Sequence, residues 1–104
     1  MSHVASVILI TSGIEHDYRH GGWLIDKLNA YLEEHHERKF AQVDQYSGGD
    51  KGFQARVYLV AINYLDIPKF LEVFHSIRWG LPDFVTLMIY DDHDDGFAVY
   101  RPNT

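Results

Sequence analysis

The sequence predicts one α+β domain spanning residues 1–104, and three observations carry that prediction. Runs rich in β-branched and aromatic residues alternate with two segments of helical apolar spacing. Glycine- and proline-marked turns separate the segments, and no repeat, low-complexity tract or Pro/Ser-rich linker divides the 104 residues. Read from the first strand to the last, the order is βαββαβ with one extra strand at the C-terminal end.

The first strand is Val4 to Thr11, dense in β-branched residues, closed by Ser12-Gly13, and placed at the centre of the sheet. Residues 12–22 form a loop. Ser12-x-x-Glu15 has the spacing of a helix capping box, but a helix starting there would run through Gly21-Gly22 at a cost of roughly 1 kcal/mol per glycine. The first helix therefore begins at Trp23, with Leu24, Ile25, Leu28, Tyr31 and Leu32 on one stripe, and ends near His36. Phe40 to Tyr46 alternates as a weaker, edge strand, and Ser47 to Gly52 is a turn. Gln54 to Tyr64 is a long strand. Asp66 offers an N-cap to a second helix, Pro68 sits in its first turn, where a missing N–H costs nothing, and Gly80 and Pro82 stop it. Ile67, Phe70, Leu71, Phe74 and Ile77 give that helix its apolar stripe. Phe84 to Tyr90 is a nearly continuous apolar strand, and Asp95-Gly96 turns it back into Phe97 to Arg101 as a closing hairpin.

This order resembles the ferredoxin-like superfold, an antiparallel sheet with two helices on one face. Right-handed crossovers leave the other face bare. Strand alternation points Val7, Leu9, Val57, Leu59, Leu87 and Ile89 at the helices, and Ile8, Ile10, Tyr58, Val60, Ile62, Tyr64, Met88 and Tyr90 away from them. Both faces are then apolar. A bare apolar face on so small a domain calls for a covering partner, and a homodimer uses one patch twice. The doubly apolar sheet is similar to that of the dimeric α+β barrel proteins, a resemblance that implies face-to-face pairing of two sheets and carries architecture only.

Composition excludes several classes of function. Without cysteine there is no disulfide, no thiolate metal site and no thiol nucleophile. Nine basic against fifteen acidic residues, with no basic cluster, argues against nucleic-acid binding. Val4 to Ile10 lacks the flanks of a signal peptide, and no run approaches the ~20 apolar residues that cross a bilayer, so the expectation is a cytoplasmic protein with no membrane partner.

Chemistry-bearing residues gather in two places. The 12–22 loop is longer than most connections and holds His16, Asp17, Tyr18, Arg19 and His20; His16, Tyr18, Arg19 and His20 are the catalytic candidates, an imidazole acting as base beside a cation that holds the substrate. The topology places this loop beside Lys51 in the Gly48 to Gly52 turn, whose spacing is not that of a phosphate loop, and beside Trp79. At the opposite edge Asp91, Asp92, Asp94 and Asp95 crowd one turn, near the His35-His36 end of the first helix. Set against a calcium-binding loop, Asp91, Asp95 and Gly96 fit, but His93 takes the third position and Pro102 stands where a bidentate Glu is needed. We therefore assign that turn to steering a basic protein partner, and assign no metal and no cofactor. The sequence favours a small acidic homodimer that binds another protein without catalysis, in the manner of an inhibitor or accessory factor. The alternative is a dimeric-barrel enzyme or small-molecule binder with a pocket at the 12–22 loop.

Overall fold

The computed structural model describes residues 3–17 and 21–102. It is an α+β fold of two helices and a five-stranded sheet. The strands are β1 (Val4–Thr11), β2 (Ala41–Gln42), β3 (Arg56–Asn63), β4 (Thr86–Asp91) and β5 (Ala98–Tyr100). They lie in the order β2-β3-β1-β4-β5 with every neighbouring pair antiparallel. The helices are α1 (Ile25–His36), between β1 and β2, and α2 (Ile67–Ser76), between β3 and β4.

Local chemistry fixes the element ends. Asp66 caps α2 by accepting from the Lys69 amide at 3.2 Å, and the proline in the first turn removes a donor that had no partner to lose. α1 starts two residues later than its apolar pattern. Gly21 and Gly22 both adopt φ of 78°, and Asp26 Oδ2 accepts from the Trp23 amide at 3.1 Å, holding the chain in a turn before the helix begins. At its other end Glu37 takes a left-handed conformation, φ 54°, so that its own N–H and that of Arg38 reach back to Glu33 and Leu32.

β2, β3, β4 and β5 are all shorter than their patterns, β3 and β5 by one or two residues at each end. The Phe40 to Tyr46 alternation yields only two paired residues, because the Asp44 side chain competes with the ladder. Its Oδ1 accepts from Val57 N at 2.9 Å, Val43 N donates to Val57 O, and the chain then curls into a 3-10 turn over Asp44–Tyr46. Pro82 likewise opens a 3-10 turn through Phe84, which delays β4 to Thr86.

The core lies between one face of the sheet and the two helices. Ala5, Val7 and Leu9 of β1 and Leu87 and Ile89 of β4 are buried with Leu28 and Leu32 of α1 and Phe70 and Phe74 of α2. On β1 and β4 this is the parity the alternation predicts. On β3 it is the reverse: Leu9 pairs with Tyr58, Val7 with Val60 and Ala5 with Ile62, and residues directly opposite one another share a face. Tyr58 and Ile62 are therefore core, Val60 packs against it, and Val57 and Leu59 face outward. Both rows of β3 are apolar, so its sequence alone does not choose between them; its pairing with β1 does. Tyr64 lies beyond the end of β3, exposed and left-handed at φ 57°, and belongs to neither row.

The outward face carries Val4, Ser6, Ile8 and Ile10 from β1, Val57, Leu59, Ala61 and Asn63 from β3, Thr86, Met88 and Tyr90 from β4, and Val99 from β5. None is charged.

Candidate functional site

Where the C-terminal end of β1 leaves the sheet, Ser12 and Glu15 keep the spacing of a capping box but cap no helix. Ser12 Oγ donates to Glu15 Oε2 at 3.1 Å and accepts from the Ile14 amide. The Glu15 carboxylate, only 4% exposed, turns inward and accepts from the backbone amides of Gly80 and, at 3.0 Å, Leu81. A residue 65 positions away is tied to the loop by this clamp. Gly80 lets the carboxylate approach closely: a Cβ at that position would lie 3.3 Å from Glu15 Oε1, a tight contact that the side chain would have to yield to.

Beside the clamp the His16 ring lies against Trp23, centroids 3.7 Å apart, and the two residues form an isolated antiparallel bridge. The Arg56 guanidinium sits 4.8 Å from the centre of the Trp23 ring, a cation–π contact. Burial pushes the Tyr58 hydroxyl's pKa up against the opposing pull of the neighbouring Arg56 cation. Trp23, Arg56 and Tyr58 border a cleft of about 200 Å³ that Ile25, Asp26, Asn29, Phe40 and Gln42 also line. Trp79 is buried behind them, and its indole N–H has no acceptor among the described residues.

The structure brings His16 and Trp79 to one end of the sheet, and Trp23, which the sequence assigns to the helical stripe, lies beside them. Tyr18, Arg19 and His20 lie outside the described residues. Asp17 forms an ion pair with Lys27 at 3.6 Å, and Lys51 is exposed in its turn. Sequence reasoning missed Arg56 at this end, and it placed Glu15 in the 12–22 loop without the Gly80 and Leu81 amides that it accepts from. Arg56 sits in the first position of a strand, where a lone cation reads as ordinary edge decoration, and only the β1–β3 register, which pairs it with Thr11, reveals its place.

At the other end the acidic turn is held by its own side chains. Asp91 Oδ1 accepts from His93 N, and Asp94 Oδ2 accepts from Asp91 N. Asp92 Oδ2 reaches across to the Val4 amide at 3.1 Å, a bond that holds its carboxyl below the usual carboxylate range. Asp94 and Asp95 are exposed, whereas Asp91 is half-buried. His3 comes against this turn, its ring centroid 4.5 Å from that of His93.

No protein-family model, no curated protein and no solved structure matches this chain. No described helix is long and apolar enough to cross a membrane.

Proposed function

We propose that this chain is a small protein-binding module that assembles as a homodimer through the open face of its sheet, within a ferredoxin-like arrangement extended by β5. One observation carries the reading. The outward rows of β1, β3, β4 and β5 hold Ile8, Ile10, Val57, Leu59, Met88, Tyr90 and Val99 and no charged residue, while both helices cover the other side. Among the described residues of a chain with 15 acidic and 9 basic side chains, none that is charged lies on the outward rows of these four strands, a surface suited to burial. The occupant is a second copy, because a two-fold axis sets uncharged row against uncharged row with no complementary partner to supply. The acidic turn, with Asp94 and Asp95 exposed, then steers a basic protein toward the dimer.

Sedimentation equilibrium tests this reading. The wild-type chain is expected at twice the single-chain mass. Leu59→Lys, placed where Leu59 is 40% exposed in one chain, is expected at the single-chain mass with an unchanged far-UV spectrum. A wild-type protein that sediments as one chain removes the proposal. For the steering role, Asp94→Asn with Asp95→Asn should slow capture of a basic partner at low salt and leave high-salt binding alone.

The Arg56 cleft favours a second reading, a binder of a small anionic or aromatic molecule. Its support is the guanidinium held over Trp23 at the rim of a cleft of about 200 Å³. In that case Arg56→Gln abolishes ligand binding without changing the mass of the assembly.

A further inference from the structure

We propose that His3, Asp92 and His93 form a binding site for one divalent transition-metal ion of the zinc type. The three residues sit outside the Arg56 cleft, and their assignment is independent of self-association. Antiparallel pairing of β1 with β4 places the start of one strand beside the end of the other, which brings His3 against Asp92 and His93 from 89 or more positions away. One ligand atom from each residue lies within 4.8 Å of the other two, and His93 Nε2 is already 3.6 Å from Asp92 Oδ1. Donors about 2.0–2.1 Å from a tetrahedral zinc ion stand roughly 3.3 Å apart, so the His93–Asp92 pair needs almost no movement and His3 a modest rotation. All three side chains are exposed and have room to make it.

The backbone on both sides is fixed. The Tyr64 amide donates to His3 O at 2.8 Å, the Val4 amide donates to Asp92 Oδ2, and the Asp92 amide donates to Val4 O at 3.1 Å. Asp92 thus spends one oxygen on the scaffold and keeps Oδ1 for a cation, the way an outer bond orients a ligating carboxylate. The donor set, two imidazoles and one carboxylate oxygen, suits Zn²⁺, Co²⁺ or Ni²⁺ better than Ca²⁺ or Mg²⁺, which take oxygen shells. Three protein ligands leave one position for solvent or for a donor from a partner. Asp91, Asp94 and Asp95 add negative potential around the turn without serving as ligands.

The test is calorimetric titration of tag-free full-length protein with zinc chloride, repeated with cobalt chloride and read by visible absorption. The wild type is expected to bind one ion per chain saturably and to give the intense visible bands of four-coordinate Co²⁺. His3→Ala, His93→Ala and Asp92→Asn should each weaken zinc binding by about tenfold or more and lose those bands. The pair His35→Ala with His36→Ala should change neither, which separates this cluster from general affinity for a chain with seven histidines. Wild-type affinity in the His3→Ala, His93→Ala double variant, or an absence of saturable binding in the wild type, would overturn the assignment.

Discussion

At Glu15 a hydroxyl and two backbone amides converge on one buried carboxylate, with Ser12 Oγ close in sequence and Gly80 and Leu81 far away. Removing the side chain leaves those donors unpaired in a buried place, where each unmet group costs about 1–3 kcal/mol. Glu15→Ala should therefore lower unfolding free energy by about 3 kcal/mol or more in urea titration, and Glu15→Gln, which retains one acceptor oxygen, by distinctly less. Asp44 gives a second residue-level expectation. Desolvation raises its pKa, but the Val57 amide and the Gln42 side chain lower it further, leaving it below the ordinary 3.8. A carboxylate depressed in the folded state contributes stability in full above its unfolded pKa and loses it as pH falls through the folded value. The stability gap between wild type and Asp44→Asn should thus be widest above about pH 5 and shrink in stronger acid, as followed by thermal unfolding at a series of pH values. Neither role was legible in the sequence. The bonds of a capping box run from side chain to backbone, whereas Ser12 and Glu15 meet side chain to side chain, and the long-range amides that Glu15 serves belong to a segment whose approach no local pattern encodes.

The elements show which signals are local and which are not. The start and buried face of α2 are readable, since Asp66, Pro68 and the Phe70, Phe74 stripe specify them without reference to the rest of the chain, but the helix ends at Ser76, with Ile77 already extended, before the Gly80 and Pro82 that mark its stop in the sequence. β1 was read to the residue for the same reason. β2 was overestimated because an aspartate side chain that replaces the backbone in a ladder looks, in sequence, like one more polar residue of an alternating strand. The row assignment of β3 inverted because alternation fixes two faces but does not say which is inside when both are apolar. The α1 terminus offers an element-scale prediction. Glu37 holds a left-handed conformation, φ 54°, that costs a side-chain-bearing residue about 1 kcal/mol relative to glycine. Glu37→Gly should raise the stability of the chain by up to about 1 kcal/mol, less the entropy that glycine gains when unfolded, and a proline there should unfold the helix end.

For the whole molecule the governing fact is asymmetry: two helices can shield one side of a five-stranded sheet, and the other side is uncharged across four of its five strands. Inverting β3 changes which of its residues form the bare face, with Val57, Leu59, Ala61 and Asn63 in place of Tyr58, Val60, Ile62 and Tyr64, which makes that row less apolar but leaves it uncharged. The two-sided apolar character was thus visible in the sequence, while its residue list needed the register. The absence of cysteine makes a direct probe of this face simple, because a single introduced thiol reports alone. Ser6→Cys places that thiol on the central strand of the outward face, opposite Ala61 and Tyr90, and Asp50→Cys supplies an exposed control. Our account predicts that the thiol at position 6 reacts with a water-soluble maleimide at least about tenfold more slowly than the control, and that adding Leu59→Lys restores much of the lost rate. Equal rates at positions 6 and 50 in the otherwise wild-type chain would contradict it.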